Sequence, residues 1–155
     1  MKKHRLGFTA GTYDMFHVGH LNLLKKAKEQ CQYLIVGVNK DELVVSYKHK
    51  LPLIPEKERA EIIKSIKYVD EVHLMDTLDK MDAFAEFHFD VIFIGSDWQG
   101  SERYEREELK MAEVGIEIRY IPYTTNISST ILAHRILENE SVFIKSLLYK
   151  DCCEE

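Results

Sequence analysis

His17 and His20 stand three positions apart, with Gly19 between them, in the run Gly11-Thr12-Tyr13-Asp14-Met15-Phe16-His17-Val18-Gly19-His20. Positions i and i+3 of a helix share a face, so a helix opening here would point both imidazoles the same way. Gly19 removes a side chain between them and lets a ligand approach the backbone. A helix start adds unpaired N–H groups and the positive dipole end, and Thr12 adds a hydroxyl at the preceding strand end. Together these groups bind an anion, phosphate above all, through two titratable donors. No nucleophilic side chain stands beside them. No cysteine or further histidine is spaced to complete a zinc site, and no metal-ligating residue is expected.

Other stretches carry compatible chemistry. Ser128, Ser129 and Thr130 form a second hydroxyl-rich helix start, which serves as a cap and offers a second phosphate cradle. Lys48-His49-Lys50 is a basic run in a loop, solvated by default. Asp97 and Trp98 offer a carboxylate acceptor and a stacking face. Asp14 suits a turn fixed by hydrogen bonds to backbone N–H groups. Arg59, one turn into a helix, can pair with Glu56 or Glu58.

Positioning these groups requires alternating strands and helices. Strands are expected at Arg5–Ala10, Tyr33–Val38, Val69–Met75, Asp90–Ile94 and Ile116–Ile121. Tyr33–Val38 is a near-continuous apolar run of the kind buried on both faces. Leu21, Leu23, Leu24 and Ala27 recur at helical spacing, and a short helix is expected over Asp41–Val45. Ser46–Ile54 reads as a loop. Pro55 opens the next helix, with Ile62, Ile63 and Ile66 as its buried stripe. Further helices are expected over Asp79–Phe87, over Glu102–Val114, and from Ser128 to about Tyr149. The pattern predicts an α/β fold, a five-stranded parallel sheet with helices on both faces. In such sheets ligands bind beyond the carboxyl ends of the strands, where the loops named above can gather.

The totals agree. A chain of 155 residues suits one domain with a real core. The net charge of −5 argues against sequence-independent nucleic-acid binding. No run suggests a membrane span or signal peptide. Cys31, Cys152 and Cys153 fit neither a disulfide framework nor a zinc ribbon. A cytoplasmic protein is expected.

The Gly11–His20 run resembles the G-T-x-D-x-x-H-x-G-H signature of the cytidylyltransferase branch of the nucleotidyltransferases, most closely the glycerol-3-phosphate cytidylyltransferases. Tyr68-Val69-Asp70-Glu71-Val72, Gly95-Ser96-Asp97-Trp98 and Ile127-Ser128-Ser129-Thr130 agree in order and spacing, over roughly residues 5 to 132. The resemblance implies a Rossmann-like nucleotidyltransferase that moves CMP from CTP to a small phosphorylated alcohol, favouring glycerol 3-phosphate, with pyrophosphate leaving. It implies catalytic roles for His17, His20 and Lys48, the last in a loop that closes on the triphosphate. It implies nucleotide binding by Thr12, Tyr13, Gly19, Lys50, Asp97, Thr124, Ile127, Ser128, Ser129 and Thr130, and acceptor binding by Asp14, Arg59, Asp70 and Trp98. Magnesium with the triphosphate and a homodimer are implied as well.

Tyr123 departs from the family pattern, which carries an arginine just before the threonine of the last block. A tyrosine supplies no guanidinium charge to phosphate. The tail beyond about residue 138 exceeds what the match needs, and Val142, Ile144, Leu147 and Leu148 suggest an amphipathic segment. Two other readings stand beside the first: an adenylyltransferase using ATP with a phosphorylated cofactor precursor, such as a flavin or phosphopantetheine precursor, and a non-catalytic nucleotide-binding regulator.

Overall fold

The computed structural model describes residues 4–150, with the side chains of 103, 104 and 141–150 left outside that description. The side chains of Val142, Ile144, Leu147 and Leu148, and all of Cys152 and Cys153, lie outside the described residues. Twelve elements alternate as β1 (His4–Gly11), α1 (Val18–Lys28), β2 (Cys31–Asn39), α2 (Asp41–Lys48), α3 (Glu56–Lys64), β3 (Glu71–Met75), α4 (Lys80–Phe87), β4 (Val91–Gly95), a 3₁₀ turn (Ser96–Trp98), α5 (Glu102–Glu113), β5 (Glu117–Ile121) and α6 (Ser129–Lys150). The five strands form one parallel sheet in the order β3-β2-β1-β4-β5. The expected Rossmann-like architecture is the observed one.

Strand polarity alternation divides the core between the two faces. Leu34, Val36 and Val38 of β2 pack with Leu24, Ala27, Ile63 and Phe93 on one side. Ile35 joins Phe8, Phe89, Ile92 and Met111 on the other. On that second face Phe8 and Phe89 stack with centroids 4.9 Å apart. β2 is buried from Leu34 to Asn39, as its apolar run requires.

β1 and β4 are neighbours whose following segments run off in opposite directions, toward β2 and toward β5. Their carboxyl ends therefore open a crevice at the switch point of the sheet. Two expectations from spacing are corrected here. Ile62 is 37% exposed, and the buried residues of α3 are Arg59 and Ile63. The polar run after Val45 does not begin a loop, because α2 continues through Lys48 and ends with His49 in the left-handed region at φ 52°.

Candidate active site

A cleft of about 500 Å³ occupies this crevice, lined by Thr9–Asp14 after β1, Ile92–Gly95 of β4, Ile121–Thr124 after β5 and Ser128–Thr130 at the start of α6. His17, Gly19, His20, Lys48, Lys50, Asp97 and Trp98 also face it. Segments far apart in sequence thus meet at one edge of the sheet.

The turn from β1 into α1 is tightly shaped. Tyr13 and Met15 hold left-handed backbones at φ 54° and 47°, conformations that non-glycine residues rarely adopt. His17 is the N-cap of α1, and its Nδ1 accepts the Gly19 N–H at 3.1 Å. A Cβ at Gly19 would meet His17 Nδ1 and Cε1 at 2.9 Å. Gly19 therefore admits the ring of His17 itself, so that the imidazole can cap the helix. With Nδ1 accepting, a neutral His17 carries its proton on Nε2.

The His17 and His20 rings stack with centroids 3.8 Å apart. Burial holds His17 below its ordinary range. Burial first, then the charges of His17 and Lys48, push His20 from 6.5 down to about 3, against a small opposing pull from Asp14. His20 Nδ1 is buried with no partner among the described residues. The pair consists of neutral N–H donors near pH 7, where two imidazolium ions in contact would repel.

Tyr13 stands edge-on to His20, centroids 5.3 Å apart, and is only 5% exposed. Burial pushes its phenol up to about 12, partly offset by a hydrogen bond with the Thr9 side chain. Its ring belongs to the core and supports His20 at the base of the cleft.

A buried arginine braces this region. Arg59 is fully buried: its Nε donates to Ile54 O at 2.8 Å, and its guanidinium donates to Thr12 O, to Asn39 O at 2.9 Å and to Asp41 Oδ1 at 2.6 Å. It joins the ends of β1 and β2 to α2 and to the segment before α3. Neither Glu56 nor Glu58 is its partner, and Arg59 does not line the cleft. The expected acceptor contact is corrected to a bracing role, because Arg59 lies outside the cleft and four of its five N–H groups are spent on the protein. Sequence spacing places Arg59 one turn into a helix but does not say that the turn faces inward.

Asp70 is also displaced from its expected place. It lies just before β3, at the amino end of a parallel strand and so at the edge of the sheet away from the cleft. Its Oδ2 accepts Leu34 N at 2.6 Å and Lys28 Nζ at 2.5 Å. Asp14 does line the cleft, yet its carboxylate is held by backbone N–H groups of Met15 at 3.1 Å and of Leu53 and Ile54, both at 3.0 Å. The carboxylate thereby ties the β1–α1 turn to the segment before α3 while still lining the cleft.

Lys48 Nζ donates to Thr12 Oγ1 at 3.1 Å, and Thr12 Oγ1 also meets Tyr47 Oη at 2.9 Å. Asn39 Nδ2 donates to the same Tyr47 oxygen at 3.1 Å. Tyr47 and Asn39 escaped sequence reasoning. The available signal was Asn39, a polar residue closing an apolar strand and only 5% exposed. Lys80, at the start of α4, also lines the cleft, and no local pattern marks it.

Across the cleft, Ser128 caps α6 by accepting Ile131 N at 3.1 Å, and Ser129 Oγ donates to Asp14 O at 2.7 Å. Asn22 Nδ2 donates to Thr124 Oγ1 at 3.1 Å. Tyr123 N donates to Ser96 Oγ at 3.0 Å and Tyr123 Oη to Ile127 O at 3.2 Å. Ile127 is not among the cleft-lining residues and stands behind Gly19, where a Cβ would meet Ile127 Cγ2 at 3.4 Å. A Cβ at Gly95 would lie 2.4 Å from Asp97 Oδ1, so this glycine lets the carboxylate fold back over the strand end. Trp98 is 46% exposed.

Two capped helix starts, a lysine and an imidazole pair gather anion-binding donors around one cleft, at the switch point of a doubly wound sheet. Residues 8–135 match the Cytidylyltransferase-like family, and the chain belongs to it. It is a nucleotidyltransferase. The FAD synthase of Thermococcus kodakarensis is 39% identical over 115 residues, spanning 73% of this chain and 76% of the relative. That of Korarchaeum cryptofilum is 35% identical over 132 residues, spanning 83% and 89%. The lipopolysaccharide core biosynthesis protein of Thermoplasma volcanium shares the fold with a TM-score of 0.65 and 27% identity, over 78% of this chain and 97% of that one. These relatives overturn the expectation of CMP transfer from CTP to glycerol 3-phosphate. Both of these curated relatives, at 39% and 35% identity, are FAD synthases. Among the described residues no helix is long and apolar enough to cross a membrane.

Proposed function

We propose that the protein is an adenylyltransferase that joins the AMP moiety of ATP to the phosphate of a flavin mononucleotide, giving FAD and pyrophosphate. The observation that carries this reading is the 39% identity to an FAD synthase over most of both chains.

In this reaction an oxygen of the flavin phosphate attacks the α-phosphorus of ATP. The bond from that phosphorus to the bridging β-phosphate oxygen breaks, and pyrophosphate leaves with the electron pair. Both partners are anions, so catalysis consists of positioning and charge stabilisation. His17 suits the task through its Nε2–H, fixed in tautomer and direction by the Gly19 N–H. His20 stacks on it and is kept neutral by burial. Lys48 adds charge from the end of α2, and the N–H groups and hydroxyls of Ser128, Ser129 and Thr130 suit the departing phosphates. Asp97 and Thr124 line the wall where the base is expected, and Trp98, expected at the acceptor, lines it beside them. Magnesium would arrive with the triphosphate: among the described residues no cluster of three or more His, Cys, Asp or Glu side chains could hold a metal ion.

Pyrophosphate release with ATP and CTP against FMN, with the product separated by chromatography, tests the reading. FAD formation dependent on ATP is expected. A preference for CTP, or ATP turnover only with an acceptor lacking a flavin, overturns it.

A further inference from the structure

Leu51 is 63% exposed and lines the cleft, while Leu53, 61% exposed, does not. A large aliphatic side chain left in water beside a substrate cleft has given up burial that folding would otherwise use. Leu51 is not loose. The neighbouring Pro52 is buried, Leu53 N and Ile54 N are fixed by the Asp14 carboxylate, and Ile54 O is held by the buried Arg59. On the other side α2 ends at Lys48. The segment thus presents the side chains of Leu51 and Pro52 to the cleft, Leu51 the exposed one, from a backbone anchored on both flanks.

The opposite wall combines the Asp97 carboxylate and the Thr124 hydroxyl with the half-exposed rings of Trp98 and Tyr123. Such a wall suits a base with an exocyclic amine. The Leu51 side offers an apolar surface beside Lys48, three positions earlier and so at most about 10 Å away along the chain. One short stretch can therefore meet both the phosphate and the broad apolar face of a single substrate.

We infer that Leu51 is a specificity residue for the acceptor, packing against the planar tricyclic ring of a phosphorylated flavin while Lys48 faces its phosphate. The inference rests on the flavin-adenylylating reading above and assigns the acceptor's ring to one wall of the cleft.

The test is a fluorescence-quenching titration of FMN against wild type, Leu51→Asp, Leu51→Met and Leu53→Asp, with KM values for FMN and ATP measured in parallel. Leu51→Asp should weaken FMN binding and raise its KM by about tenfold or more, through the lost aliphatic contact and the cost of setting a carboxylate against the ring. The ATP KM should stay within about twofold, because a contact to one substrate acts on that substrate's binding. Leu51→Met should keep FMN affinity, and Leu53→Asp should behave as wild type. An unaltered FMN affinity in Leu51→Asp overturns the inference. So does a rise confined to the ATP KM, which would place adenine at Leu51, and so does an equal loss in Leu53→Asp, which would indicate disturbance of the whole segment. Wild type that forms FAD while Leu51→Asp is unaffected defeats this inference alone. Wild type that neither quenches FMN nor forms FAD defeats the functional reading with it.

Discussion

The starts of α1 and α6 face one cleft and are capped in the same way by side chains that also line it. His17 accepts an N–H two residues on, and Ser128 accepts one three residues on. They differ in what stands behind them. The α1 start rests on a stacked imidazole pair, the buried Tyr13 ring and, through Thr12 O, the buried Arg59. The α6 start is tied by single neutral hydrogen bonds from Ser129 to Asp14 O and from Asn22 to Thr124. On the proposed reaction, the difference separates two tasks. Donors that act on the reacting phosphorus must be fixed beforehand, whereas donors to departing phosphates need only be available.

Removing the brace gives the largest expected effect. Arg59→Leu leaves Asp41 without its buried partner and three carbonyls without a donor, and should cost about 3–5 kcal/mol of stability. Urea unfolding monitored by circular dichroism measures this. A loss below about 1 kcal/mol would mean that the guanidinium is not the brace it resembles. His17→Ala and His20→Ala come next: each should lower turnover by at least about a hundredfold while the protein stays folded. Because the rings are stacked, the double variant should lose far less than the product of the single losses. Ser128→Ala should cost only about 1 kcal/mol of stability, the worth of one N-cap. Its kinetic effect should fall on the KM for ATP. If Ser128→Ala slowed turnover more than His17→Ala, the division of tasks between the two helix starts would be reversed.

The fold was legible because its signals are periodic. The apolar run at Leu34–Val38 and the alternation of strand and helix follow from burial on both faces of a parallel sheet. The cleft-facing residues Thr12, His17, His20, Ser128 and Ser129 were legible because helix starts after strands announce themselves by cap and glycine chemistry, whereas Lys48 was marked by the family resemblance alone. Arg59 and Asp70 were not. A charged residue inside α3 reads as surface until the carbonyls converging on it are seen, and those come from residues as distant as Thr12. Asp70 follows the family motif in sequence, but strand direction carries it to the far edge of the sheet. The helical state of Lys48 was hidden because Ser46–Lys50 is polar throughout, and α2 is fixed partly by the Tyr47 contacts with Thr12 and Asn39. Acceptor identity was least legible, since the histidine signature serves chemistry common to the whole family.

The smallest effect near neutral pH, and the sharpest probe of the contrast between the helix starts, is titration. His20 is lowered from 6.5 to about 3 in the folded protein, so between those values the unfolded chain binds more protons there than the folded one. Stability contributed by keeping His20 neutral is complete above about pH 6.5, declines as pH falls through the window, and is lost toward pH 3, with a slope of at most about 1.4 kcal/mol per pH unit for one proton. The Ser128 start contributes no such slope, having no titrating side chain. The His20 imidazole resonances of the free protein should therefore stay constant from about pH 8 to pH 5, and His20→Gln should flatten the acid limb of a urea-midpoint profile. A His20 midpoint near 6.5 would show the imidazole to be charged and solvated. The α1 start would then be no more preorganised than that of α6.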